Sequence, residues 1–209
     1  MNKTEQMDAP ITKERQAVAM AAAILIADHA LSYAQARKKA AIQCFGTRVP
    51  RDANPSNDEI DEALLEHLNL FDFEPHQVRV IEMRHACASL MQRLAQFNPY
   101  VTGAAWKGIV SEHAHAHLQL FFDDSKEVSI ALINLGIEWE ATEVSHFAGL
   151  GTIEALSLDW QGHPFQISLY TEADFRGALK TDHNGRADRG NHVQLLALIN
   201  ADAQGHDDL

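Results

Sequence analysis

Three histidines alternate with alanine near the middle of the chain, at His113, His115 and His117. Alternate residues of an extended strand project to the same face, so this spacing predicts three imidazoles along one side of a strand. Neighbouring imidazoles can share a transition-metal ion such as Zn²⁺ or Ni²⁺, or can act as acid and base groups. The pattern is equally typical of partly exposed polar side chains lining a groove. The sequence favours this second interpretation, because no later ligand is clearly placed to complete a metal shell.

A glycine turn precedes these histidines. Gly103 follows the β-rich segment Tyr-Val-Thr, and a short helical stretch that ends in Lys107 leads from it to the histidine strand. Backbone amides at such a turn, above the start of a helix, form a favourable site for phosphate. The apolar residues of the strand alternate with the histidines and should pack inward, so the histidines face the space above the turn. The sequence thus predicts phosphate contacts at Gly103, Ala104 and Lys107.

Residues 103–118 resemble the active-site segment of the nucleotidyltransferase superfamily, which includes the minimal nucleotidyltransferases and DNA polymerase β. The pattern of that family is Gly-Ser, a short helix with a second Gly, and then Ser-Asp-x-Asp-Leu at the start of a strand. Without a gap, Gly103 falls on the first Gly and Ala104 on the Ser. The two metal-binding aspartates of the family fall on His115 and His117.

The resemblance implies a mixed sheet with flanking helices and a site where three carboxylates hold two Mg²⁺ ions. Neutral imidazole is a poor ligand for Mg²⁺, which prefers oxygen in octahedral geometry. The third carboxylate would lie on a later strand, where residues 165–170 offer Gln166 or Ser168, and a different alignment offers Glu154 or Asp159. The expectation is a degenerate member that binds a nucleotide or other phosphate ligand, with weak or absent two-magnesium transferase activity.

Two alternatives stay open from the sequence. One is an active phosphoryl-transfer enzyme that uses the histidines with a transition metal or as acid and base groups. The other is a non-catalytic module whose helical half binds a protein partner. Arg186 and Arg189 lie in a polar segment of an otherwise acidic region, and arginines there could grip an anion. Alternatively, this segment is a solvated loop in which they pair with Asp182 and Asp188.

The elements that position these residues divide the chain into an N-terminal helical half and a C-terminal half rich in strands. Capping boxes at Ser32 and Ser56 predict helix starts, and a long helix through about Phe97 should bury Val78 on its apolar stripe. From Tyr100 onward the sequence pattern changes from mainly helical to rich in predicted strands. The prediction is an α+β fold, with a helical bundle over 1–98 and a nucleotidyltransferase-like sheet over 99–209.

Composition narrows the classes of function. The 209 residues carry a net charge of −12, which disfavours general binding to nucleic acid or to anionic membranes. Two isolated cysteines make no disulfide framework. The longest apolar run, 17–27, is too short to span a bilayer, and no secretory signal is visible, so a cytoplasmic location is expected.

Overall fold

The computed structural model describes residues 12–178 and 187–206, which adopt an α+β fold. The helices are α1 (Lys13–His29), α2 (Tyr33–Phe45), α3 (Asn57–Phe71), α4 (Phe73–Arg93), α5 (Gly103–Lys107), α6 (Ser125–Asn134), α7 (Glu172–Ala178) and α8 (His192–His206). The strands are β1 (Pro99–Thr102), β2 (Ala116–Phe121), β3 (Trp139–Ser145), β4 (Thr152–Trp160), β5 (His163–Tyr170) and β6 (Arg189–Asn191). Within the described residues, no helix is both long and apolar enough to cross a membrane.

Side-chain caps fix the starts of the first three helices. The Thr12 hydroxyl accepts a hydrogen bond from the backbone of Arg15 at the start of α1. Ser32 and Ser56 both form complete capping boxes, at the starts of α2 and α3. The predicted capping boxes are therefore confirmed, and each satisfies backbone donors that have no partner inside the helix.

The six strands form one mixed sheet in the order β3-β4-β5-β2-β1-β6. β2 and β5 are parallel, and every other neighbouring pair is antiparallel. The β4–β5 hairpin turns at Gln161 and Gly162, both with positive φ, as expected of a two-residue turn of type I′.

One face of the sheet carries the apolar core. Side chains such as Val101, Leu118, Leu156 and Ile167 are fully buried there, and they pack against residues of α4, α5, α6 and α8. The opposite face is covered at one end by an aromatic cluster that includes residues of α7. Elsewhere that face carries polar side chains such as Gln119 and Ser168, with Ala155 and Pro164 among them.

The chain forms two compact units that do not divide at residue 98. Among the described residues, one comprises 12–76 together with Ser111–His113, and the other comprises Gln77–Val110, 114–178 and 187–206. Most of α4 thus belongs to the sheet unit, because side chains such as Val80 supply its core. The prediction that Val78 is buried is wrong, since this side chain is 52% exposed.

Candidate functional site

Four polar side chains lie in one row across the second face of the sheet. Gln166 on β5 pairs in register with His117 on β2, His117 pairs with Thr102 on β1, and Thr102 pairs with Arg189 on β6. Register partners share a face, and neighbouring strands lie about 4.8 Å apart, so this polar row is about 14 Å long. We use the name polar row for these four residues.

Gly103 lies directly against the imidazole of the polar row. It begins α5 with φ of 65°, a conformation that favours glycine, and a Cβ added there would lie 3.2 Å from His117 Cδ2. The structure therefore brings together Gly103 and His117, two of the residues that the sequence singled out. Ala104 is partly buried against the core, and Lys107 lies exposed in the last turn of the short helix.

The other two histidines of the predicted row lie outside β2. The strand begins at Ala116, so His115 stands just before it and His113 lies in a turn, with both side chains exposed. Across residues 12–178 and 187–206, no group of three His, Cys, Asp or Glu side chains could hold a metal ion. Of the three imidazoles, His117 is the one that joins the polar row.

The polar row carries no carboxylate. At the third-carboxylate positions, Gln166 stands beside His117, and Ser168 lies on the same face beside Gln119. By strand alternation Glu154 projects to the core face with Leu156, whereas Asp159 lies at the far end of β4 opposite Pro164. The four side chains of the polar row are therefore an amide, a hydroxyl, an imidazole and a guanidinium, and the carboxylates on the same face, Glu140 and Asp159, lie on the strands beyond Gln166.

His117 is held as a neutral ring. Burial lowers the pKa of its imidazole, and the nearby His115 lowers it further, while a hydrogen bond with Gln166 acts in the opposite direction. Since an ordinary histidine titrates near pH 6.5, the lowered pKa leaves His117 neutral at pH 7. A neutral imidazole supplies one donor and one acceptor to the polar row.

The variant His117→Gln should make the stability of the protein less dependent on pH. The folded-state pKa of His117 is lowered, so the unfolded chain takes up its proton first as the pH falls below about 6.5. Wild type should therefore lose more unfolding free energy than the variant between about pH 7 and about pH 5. Urea unfolding across this range measures the difference. His85→Gln, on an exposed residue of α4, is the matched control for replacing a histidine. Equal slopes for wild type and His117→Gln would refute the assignment.

Arg189 is placed by contacts to the neighbouring elements. The Thr102 hydroxyl donates to the backbone oxygen of Asp188 at 2.8 Å, and Trp106 Nε1 donates to that of Ala187 at 2.7 Å. These bonds fix the approach to β6, so that Arg189 leans across the sheet and donates from Nη1 to Gln119. Arg186, the second predicted anion contact, lies outside the described residues.

The guanidinium of Arg189 is buried without a full set of partners. The residue is 8% exposed, and its Cζ lies 4.9 Å from the centre of the Phe147 ring. Within the described part of the chain, Nε has no hydrogen-bond partner. Burial lowers the pKa of Arg189, opposed by the nearby Asp188 and Tyr170, but a guanidinium stays charged at any physiological pH. A cleft of about 190 Å³ adjoins it.

His146 and Asp174 form a pair of titratable groups that was not predicted from the sequence. His146 follows β3 and is buried, and its Nε2 lies 3.3 Å from Asp174 Oδ1. Its Nδ1 accepts a hydrogen bond from the backbone of Ala148, so both ring nitrogens are occupied. Asp174 also accepts from the hydroxyl and backbone of Thr171, and these bonds lower its pKa. The pair fixes the loop that holds Phe147 under Arg189.

Comparison of the chain with protein-family models, with curated proteins and with solved structures found no match.

Proposed function

We propose that the polar row binds a nucleotide or another phosphate-bearing small molecule through Arg189, without two-magnesium nucleotidyl transfer. The observation that carries the proposal is the buried guanidinium of Arg189, whose Nε lacks a partner among the described residues. Burying a charge is costly unless it is paired and hydrogen-bonded. In the described part of the chain no carboxylate lies within ion-pair distance of Arg189, so a bound anion would supply the missing compensation.

Phosphate suits this position by its chemistry. Its oxygens accept paired hydrogen bonds from the fork of a guanidinium, with both geometry and charge matched. The adjoining cleft is lined by Asn191 and Gln194 together with Tyr100, Asp188 and two alanines. Together with Arg189, the hydroxyl, imidazole and amide of the polar row extend over about 14 Å, a length that suits a nucleotide better than a lone phosphate.

The absence of carboxylates from the polar row supports binding without Mg²⁺. Transfer by two metal ions needs oxygen ligands that bring the ions to the reacting phosphate. Here the residue in register with His117 is Gln166, and the imidazole itself is neutral. The resemblance to nucleotidyltransferases supports a nucleotide or another phosphate compound as the ligand. The glutamine and the neutral histidine at these positions argue against metal-assisted nucleotidyl transfer.

The proposal predicts a ligand-dependent rise in thermal stability that requires Arg189. ATP and pyrophosphate, each with and without Mg²⁺, should stabilise wild type by about 2.7 kcal/mol at one hundred times the dissociation constant. Arg189→Gln should weaken binding by about 10- to 100-fold, because it removes hydrogen bonds to a charged group. Arg93→Gln, which removes an exposed arginine of α4, is the matched control and should bind like wild type.

Three outcomes of this experiment would contradict the proposal. They are no stabilisation by either ligand, stabilisation that appears only with Mg²⁺, and equal stabilisation of the Arg189→Gln and wild-type proteins. Arg189→Lys guards against a simple folding defect, since it keeps the charge but loses the planar fork. It should fold and retain part of the affinity, with ATP losing less affinity than pyrophosphate, because the other three residues of the polar row still contact the rest of the nucleotide.

A further inference from the structure

β3 is an open edge of the sheet. It stands at one end of the strand order and pairs with β4 alone, so its outer side presents backbone N–H and C=O groups that no strand in the described residues engages. Natural edge strands are usually protected by being very short, by charged side chains, especially lysine, by proline, or by a β-bulge. β3 has seven residues without lysine or proline, and its register with β4 runs without a break from Trp139 to Ser145.

Two glutamates lie directly opposite each other beside this edge. Glu143 on β3 and Glu154 on β4 are register partners, and both are exposed. Like charges in such a pair destabilise a sheet unless a cation lies between them. The surrounding stretch, 127–175, contains no lysine or arginine to supply that cation. A cleft of about 460 Å³ is lined by both glutamates and by neighbouring residues of the two strands.

From the open edge and the uncompensated glutamates, we propose that β3 binds an extended segment of another protein that carries lysine or arginine. The segment would add a strand to the sheet, with backbone hydrogen bonds supplying affinity and side chains supplying specificity. One basic residue would lie over Glu143 and Glu154. A second, three positions along the segment, would project to the other face of the sheet and meet Glu140, which is also exposed.

A second copy of this chain is a poor occupant of the same edge. Two β3 strands pairing with each other would bring together two surfaces that each carry Glu140, Glu143 and Glu154. Residues 127–175 supply no basic side chain from either copy, so the association would be opposed by like charge. The glutamates therefore protect the edge from self-association and select a basic partner.

Three synthetic peptides test this proposal against the full-length protein labelled with ¹⁵N. The first is acetyl-Thr-Lys-Val-Thr-Lys-Val-Thr-amide, the second replaces both lysines by glutamate, and the third keeps the lysines but is N-methylated at every backbone amide. The first should bind and protect backbone amides of β3 from hydrogen exchange. The second should fail through like charge, and the third should fail because it cannot complete the backbone ladder.

Glu143→Gln separates this site from a general attraction to an acidic protein. It should weaken the lysine peptide about three- to tenfold, while Glu127→Gln, on an exposed residue of α6, should leave binding unchanged. Because it relieves the repulsion with Glu154, the variant should also be at least as stable as wild type. Equal binding of the methylated peptide, equal binding of the glutamate peptide, no binding of any peptide, or concentration-dependent dimerisation through β3 would each overturn the proposal.

Discussion

Gly190→Ala should destabilise the sheet unit by about 3 kcal/mol, although it adds a single methyl group. A Cβ at this position would lie 2.1 Å and 2.3 Å from two ring carbons of Trp106, far inside van der Waals contact. The indole cannot turn aside without cost, because its Nε1 donates to the backbone of Ala187 and its ring packs against the core. Either β6 or Trp106 must move, and the neighbouring Arg189 moves with the strand.

Urea unfolding of Gly190→Ala and of Gly177→Ala gives a matched comparison. A Cβ at Gly177, within α7, meets nothing closer than 3.8 Å, so this exchange should be neutral or stabilise by up to about 1 kcal/mol. Trp106→Leu completes a double-mutant cycle. In the Trp106→Leu background, Gly190→Ala should lower the unfolding free energy much less than in wild type, because the ring that the new methyl group would meet is gone. An unfolding free energy of Gly190→Ala within about 0.5 kcal/mol of the wild-type value would contradict the close packing of the Trp106 ring against β6.

The same variant links packing to the proposed ligand site. Arg189 pairs in register with Thr102 and depends on the bonds that hold residues 187 and 188. At a temperature where Gly190→Ala remains folded, its affinity for pyrophosphate should fall with the displacement of β6. Gly177→Ala should keep the affinity of wild type.

Local chemistry explains why much of the fold could be predicted from the sequence. The capping boxes at Ser32 and Ser56 each depend on residues within four positions of one another, so their signal is complete in a short segment. The alternation in β2 likewise placed Leu118 inward and His117 on the opposite face. Such elements can therefore be predicted without knowledge of the tertiary fold.

Tertiary packing determines which face of a helix is buried where the local sequence pattern allows more than one. In α4, Val78 and Val80 are two positions apart and therefore lie about 200° apart around the helix, on opposite faces. The sheet buries Val80 and leaves Val78 exposed, a choice that the helix alone does not contain. β6 escaped prediction for a related reason, because a three-residue strand has too few side chains to show an alternation.

The contacts of the candidate site were predictable only where the two residues are close in sequence. Gly103 and His117 belong to one short motif, and the structure places them in contact. Arg189 and its partner Gln119 are 70 positions apart, and His146 and Asp174 are 28 apart. Contacts over such distances depend on strand order, which no spacing in the sequence specifies.

Arg84→Met should cost about 3 kcal/mol of unfolding free energy, through the loss of a buried charge network. Arg84 is 6% exposed, donates from Nε to the backbone oxygen of Ala105 at 2.9 Å and from Nη2 to that of Trp106 at 3.3 Å, and forms an ion pair with Asp202 at 2.5 Å. α5 has only five residues, so these carbonyls at its end lack partners within the helix. Methionine fills the volume of the arginine stem but donates no hydrogen bond.

Arg93→Met, on an exposed residue of the same helix, is the control and should change stability by less than about 0.5 kcal/mol. Asp202→Asn should cost less than Arg84→Met, because Asp202 is partly exposed and Arg84 keeps both carbonyl partners. Equal unfolding free energies of Arg84→Met and Arg93→Met would contradict the conclusion that Arg84 stabilises the end of α5. Because Gly103 begins the helix that Arg84 holds, Arg84→Met should also shift the imidazole NMR signals of His117. A shift at His117 with unchanged pyrophosphate affinity would locate anion binding at Arg189 and β6, independently of α5.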